Sequence, residues 1–139
     1  MSNENRISDL EYLAYHDILT GIYNRNWLYE HMYCSKYKYV YFFDINDLRE
    51  INDKKGHIAG DRFIKKIIDN IDKKENEILI RYAGDEFILL SNRINALKTN
   101  KFFSVGMSEI RTSLFKAILL ADRKMLINKH IQKHENTKI

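Results

Sequence analysis

With 139 residues, 45% hydrophobic and 30% charged, the chain has the size and composition of one globular domain, which excludes a disordered chain and leaves no room for a second catalytic unit. The net charge of +4 comes from scattered lysine pairs such as Lys54 with Lys55 and Lys65 with Lys66, a pattern of solvated faces that speaks against nucleic-acid binding. No apolar run reaches the roughly 20 residues that span a bilayer, and the single cysteine, Cys34, excludes an internal disulfide and a thiolate metal cluster, so a cytoplasmic protein with no membrane contact is expected.

The absence of proline and of any linker-like tract makes residues 1–139 one domain. Residues 5–15 offer a short helix with Ile7, Leu10 and Ala14 spaced for contact. Gly21 marks a turn, and Asn24 can cap a helix over 25–37 with Leu28 and Met32 on its inner side. Tyr39, Val40, Tyr41, Phe42 and Phe43 form a continuous apolar run that stops at Asp44, as in a strand buried on both faces whose carboxyl end opens to solvent.

A short helical stretch then breaks at Gly56, and Asp61 can cap a helix carrying the stripe Phe63, Ile64, Ile67, Ile68 and Ile71. Residues 78–82 and 87–90 read as a hairpin joined through Ala83, Gly84, Asp85 and Glu86, with Gly84 expected to supply backbone freedom for the turn. A strand over 102–107 and a long helix over 112–132, with Leu114, Ile118, Ala121 and Met125 on one stripe, complete the chain. This order predicts an α+β fold, helices packed on a mixed sheet.

If the 39–43 strand lies beside the hairpin, Asp44 comes close to Asp85 and Glu86. Carboxylates so placed repel unless a cation sits among them, and hard oxygen ligands select Mg²⁺ or Mn²⁺. On these residues alone, a metal-assisted phosphoryl site and a plain turn beside a strand-ending acid both stay open. Asn52 could likewise be a local helix stop and Asp61 a simple N-cap. His130 and His134, four residues apart with no third ligand evident, read as solvated.

Four segments in order, DILTGIYNRNWL from Asp17, FDINDLREINDKKGHIAGD from Phe43, RYAGDEF from Arg81 and ADRKMLINK from Ala121, resemble the GGDEF family of diguanylate cyclases. The spacing of Asn52, Asp53, Gly56, His57, Gly60 and Asp61 upstream of RYAGDEF is the most specific part. The resemblance implies a nucleotide-cyclase fold like that of the polymerase palm, with a ferredoxin-like core. It also implies condensation of two GTP into cyclic di-GMP with release of two pyrophosphates. Each domain would hold one GTP, so a two-fold homodimer is expected.

By the same resemblance Asp44 bridges the metals, the carbonyl of Ile45 adds a ligand, and Asp85 and Glu86 complete the site. One of the last two also helps deprotonate the 3′-hydroxyl. Asn52 and Asp61 match the positions that bind the guanine edge, and Gly84 is placed with the substrate. Lys129 and Lys133 match the Lys and Arg that grip the triphosphate, although lysine at 133 loses the bidentate fork of arginine.

The sequence departs from the family pattern in places. Ala83 replaces the first glycine of the signature, tolerable if the backbone there avoids positive φ. Asn46 replaces an aspartate. Lys74, Glu75, Asn76 and Glu77 replace the RxxD product-binding motif, which argues against product inhibition through that site. Residues 91–101 are too short for the usual helix, leaving a sheet face for a partner to cover. No sensory domain is expected before the cyclase, so regulation is expected from another protein, from concentration or from nothing. The alternatives are a minimal cyclase making a different dinucleotide and a non-catalytic module binding GTP or a protein.

Overall fold

The apolar run after residue 38 forms strand β2 (Tyr39–Ile45), buried along nearly its whole length. The computed structural model describes residues 3–31 and 36–136. Before β2 come α1 (Asn3–Tyr15), β1 (Tyr23–Asn24) and α2 (Arg25–His31). After it come α3 (Leu48–Lys55), α4 (His57–Asp69), β3 (Ile78–Arg81), β4 (Glu86–Ser91), β5 (Phe103–Glu109) and α5 (Leu114–Asn136). The strand order is β1-β3-β4-β2-β5; β1 runs parallel to β3 and the other pairings are antiparallel.

Because side chains alternate across a strand, β2 feeds two cores. Tyr41, Phe43 and Ile45 pack with Ile64, Ile67 and Ile68 of α4 and Leu48 of α3. Val40 and Phe42 face the other way and pack with Leu28 of α2 and the α5 stripe Leu114, Ile118, Ala121 and Met125. The helix α5 lies flush on β5 at Gly106, where an added Cβ would fall 2.1 Å from the Ala121 carbonyl oxygen and 2.2 Å from the Met125 nitrogen. Asn128 fixes the same contact by donating to the Val105 carbonyl at 2.7 Å.

Several sequence expectations change. The helix capped by Asn24 is α2, and Asn24 Oδ1 does accept the Trp27 N–H at 3.0 Å. It is described only as far as His31, Met32 lies outside the described residues, and Tyr37 is already irregular backbone leading into β2. Asp61 is not an N-cap: Gly56, at φ 88°, both ends α3 and starts α4, so Asp61 sits inside α4. The helix over 5–15 exists as α1, but it buries no residue, and Ile7, Leu10 and Leu13 face solvent. The hairpin does not use Gly84 for left-handed backbone, since among glycines only Gly21 and Gly56 have positive φ. Ala83 also lies outside that region, so the alanine is unstrained there.

The connection from β4 to β5 contains no helix, as its length predicts. It covers part of the sheet face itself: the Tyr41 hydroxyl donates to the Arg93 carbonyl and accepts the Ala96 N–H, and Ala96 and Leu97 pack on the α4 core. What remains is an apolar cavity of about 460 Å³ bordered by Phe63, Ile67, Leu97 and Phe102.

Candidate active site

Three acids meet where β2 ends. Asp44 is paired in register with Glu86 of β4, and the Ile45 N–H donates to the Asp85 carbonyl at 2.9 Å. The turn is held from inside by the Tyr82 and Ala83 amides, which both donate to the Glu86 carbonyl. It is held from outside by Arg81, whose guanidinium reaches the Gly84 carbonyl at 2.7 Å and the Asp17 carboxylate at 3.1 Å. Asp17 and Arg81 both lie in quoted motifs, yet their pairing across 64 residues left no spacing signal.

Asp44 is buried at 7% exposure. Its Oδ2 accepts from Lys129 Nζ at 2.9 Å, while Oδ1 is buried with no hydrogen-bond partner. Burial pushes the Asp44 carboxyl up, the Lys129 ammonium pulls it down, and the Asp85 charge pushes it up again; the net direction is up. Glu86 is also raised, first by burial and then by the charges of Asp122, Asp85 and Asp44. Asp122 of α5, itself raised by burial, is an acid of this cluster that sequence reasoning passed over, because it lies inside a helical run with no turn or strand end to mark it.

Among the described residues no three Asp, Glu, His or Cys groups stand close enough to chelate a metal as they are. The donor set still suits a hard divalent cation. An unpartnered carboxylate oxygen buried beside two further acids, with Asp44 and Glu86 both pushed up by burial and by neighbouring negative charge, is the environment that such an ion relieves. Asp44, Asp85, Glu86 and the Ile45 carbonyl are the groups that would hold Mg²⁺ or Mn²⁺.

Two adjoining cavities open beside the acids. The larger, about 880 Å³, is bordered by Ile45, Asn46, Asp85, Lys101, Lys129 and Lys133. The smaller, about 400 Å³, is bordered by Asn52, Asp61, Gly84, Arg81 and Asp85. Leu48, Arg49, Asp53 and Asp85 border both, so the cavities adjoin at the hairpin tip. The sequence-predicted triphosphate residues thus fall in one compartment and the guanine residues in the other. Asn52 is seated against Gly60, where a Cβ would fall 1.8 Å from Asn52 Oδ1. At Gly84 a Cβ would meet nothing, so the bare backbone there leaves room in the smaller cavity.

At the segment that replaces RxxD, Glu77 is buried and engaged. Arg93 donates to it through Nη2 at 2.6 Å and Nε at 2.9 Å, and Ser91 and the Lys74 amide donate as well. Burial alone would raise its carboxyl, but these donors outweigh it and hold the value at about 2. A carboxylate so enclosed is not free to bind a ligand.

Helices on both faces of a mixed sheet, with acids gathered where the central strand ends, define an α+β domain of the nucleotidyl-cyclase and polymerase-palm class. The chain belongs to the GGDEF family: the family described as "Diguanylate cyclase, GGDEF domain" matches residues 14–117.

The similar proteins bear names of more than one kind. The chain is 42% identical over 89 residues to the uncharacterized protein Rv1354c of Mycobacterium tuberculosis, covering 58% of this chain and 14% of that protein. It is 33% identical over 96 residues to the probable diguanylate cyclase DgcT of Escherichia coli, covering 60% and 20%. It is 30% identical over 95 residues to the cyclic di-GMP phosphodiesterase NbdA of Pseudomonas aeruginosa, covering 61% and 12%. The chain therefore spans only a fraction of the length of the curated relatives it matches. Among solved structures, the coiled coil and GGDEF domain of DgcB from Caulobacter crescentus superposes with TM-score 0.76 at 18% identity, covering 91% of this chain and 86% of that one. A microbial GGDEF domain studied with cyclic di-GMP gives 0.74 at 24% identity, covering 88% and 94%.

Proposed function

We propose that the chain is a diguanylate cyclase that condenses two GTP molecules into cyclic di-GMP. The observation that carries this reading is the buried Asp44, one oxygen unpartnered, at the strand end beside Glu86 and Asp85, the last of which borders two adjoining cavities. A bound divalent ion would polarise the α-phosphate and offset the charge that develops on it. Asn52 and Asp61 hold the guanine edge, and rejection of adenine follows because the wrong base leaves these groups unpaired. Lys129 and Lys133 bind the triphosphate and neutralise charge as it moves toward the leaving pyrophosphate. Asp85 or Glu86 accepts the proton of the attacking 3′-hydroxyl; burial and like charges make Glu86 the more basic than an ordinary carboxylate.

Each chain offers one such site, so two chains must face each other for the 3′-hydroxyl of one GTP to reach the α-phosphate of the other. A homodimer is part of the proposal. Among the described residues no helix is long and apolar enough to cross a membrane, and we place the reaction in the cytoplasm. The test is pyrophosphate release from GTP and from ATP with Mg²⁺ or Mn²⁺, over a range of protein concentration. Release from GTP alone, rising more steeply than linearly with protein, supports the reading; release from ATP as readily would reject the base assignment.

The lack of a ready three-acid chelate favours one second reading, a GTP-binding module without turnover. Calorimetry that detects GTP binding in a sample releasing no pyrophosphate would select it.

A further inference from the structure

We propose that Lys101 is a third lysine of the triphosphate site, delivered to it by the shortened connection between β4 and β5. The proposal rests on the cyclase reading above and adds a residue that none of the quoted motifs contains. Lys101 borders the same cavity as Lys129 and Lys133.

The backbone on both sides of Lys101 is tied down. The Asn46 N–H donates to the Phe102 carbonyl at 2.8 Å, and Gln132 Nε2 donates to the Asn100 carbonyl at 2.8 Å. The Asn46 side-chain amide donates to the Lys101 carbonyl at 3.4 Å, and Asn100 Oδ1 accepts the Phe102 and Phe103 amides at 2.8 and 3.0 Å. Ser104 Oγ lies within hydrogen-bond distance of both Asn46 Oδ1 and Gln132 Oε1. The end of β2, the start of β5 and the last turns of α5 therefore converge on one backbone segment. That segment presents Lys101 to the cavity that Gln132 and Asn46 also border.

The ammonium itself is available. Lys54 is paired with Glu50 and Lys129 with Asp44, whereas Lys101 has no ion-pair partner among the described residues. Its Nζ rests 5.0 Å from the Phe102 ring centroid, a weak contact that a polyanion outcompetes. Asn46 makes chemical sense in this setting. An aspartate there could not donate to the Lys101 carbonyl and would add a negative charge beside the triphosphate.

The test is equilibrium binding of a non-hydrolysable GTP analogue and of GMP to the wild type, Lys101→Ala, Lys101→Arg and Lys98→Ala. Lys98 lies in the same connection but borders the separate apolar cavity. Lys101→Ala should weaken the analogue about tenfold and GMP less than about twofold, since a charge-assisted contact to the tail is lost and the base contacts are kept. Lys101→Arg should recover most of the affinity, and Lys98→Ala should match the wild type. Equal triphosphate affinity in Lys101→Ala, or an equal loss for GMP, overturns this proposal while leaving the cyclase reading intact. A wild type that binds no GTP analogue with or without divalent ion overturns both.

Discussion

The ammonium of Lys129 lies 2.9 Å from Oδ2 of Asp44 and joins the last turns of α5 to the end of β2. Their side chains are only 24% and 10% exposed, so the pair is largely withdrawn from water. The residue expected to grip phosphate and the residue expected to hold metal are thus coupled before any ligand arrives. Lys129→Met should cost about 2 kcal/mol of stability at neutral pH, because it leaves the Asp44 charge uncompensated. Acidification protonates Asp44 and removes that charge, so the penalty should shrink. Urea titrations at neutral and mildly acidic pH measure it.

Asp44 and Glu86 are both raised from their ordinary values in the folded state, first by burial. Only their ionised forms serve a divalent ion. The sign follows: as pH falls, Mn²⁺ binding in the presence of GTP should fail above the value of about 4 expected for free carboxylates. A binding profile whose acid limb falls at ordinary carboxylate values would show that burial does not control this site.

Raised carboxylates also mean that their ionisation costs folding energy above their unfolded-state values. Asp85→Asn removes one of the charges acting on both neighbours, so it should raise the melting temperature by a few degrees, about 0.5–1 kcal/mol, while abolishing turnover. Calorimetric melts and a pyrophosphate assay on the same sample measure the two effects.

Glu77 behaves in the opposite way. Its folded value of about 2 lies below the ordinary 4.5, so the Arg93 pair contributes stability that is complete above pH 4.5 and is lost as pH falls toward about 2. Arg93 is 40% exposed, and after allowing for solvent screening the contribution is on the order of 2 kcal/mol. Glu77→Gln should lower stability at neutral pH and flatten its acid dependence across that window. Acid-denaturation curves of the two proteins should converge at the low end.

Gly60→Ala tests how the guanine compartment is built. The new methyl would overlap Asn52 Oδ1, and the Asn52 side chain can swing away more cheaply than α4 can move. GTP affinity should fall at least about tenfold, with a stability loss of only about 1–2 kcal/mol. Gly106→Ala is the contrasting case: its methyl meets the α5 backbone at 2.1–2.2 Å, with no flexible side chain to yield, so it should cost more than about 3 kcal/mol.

Much of this fold was legible because its signals are continuous. The run from Tyr39 into Asp44, the hairpin and the α5 stripe could be placed from hydrophobic pattern alone, and Asn24 capped α2 as expected. Local chemistry misled where two elements shared one residue. Gly56 ends one helix and begins the next, whereas Asp61, a good cap by composition, lies inside α4. Two-residue β1 carries no periodicity to detect. Long-range pairs were invisible for the same reason: Lys129 with Asp44 are 85 residues apart, and Glu77 with Arg93 are 16 apart and belong to segments that read as loops. The candidate site was assembled from motif spacing, and the geometry that brings it together comes from β2, the hairpin and α5 meeting at one end of the sheet.

The most direct measurement is mass-spectrometric identification of the nucleotide formed when the purified protein is incubated with GTP and Mg²⁺ or Mn²⁺. Cyclic di-GMP from the wild type and none from folded Asp85→Ala is the outcome expected here. A folded, dimeric wild type that leaves GTP intact with either ion, or a product that persists unchanged in Asp85→Ala, would contradict it.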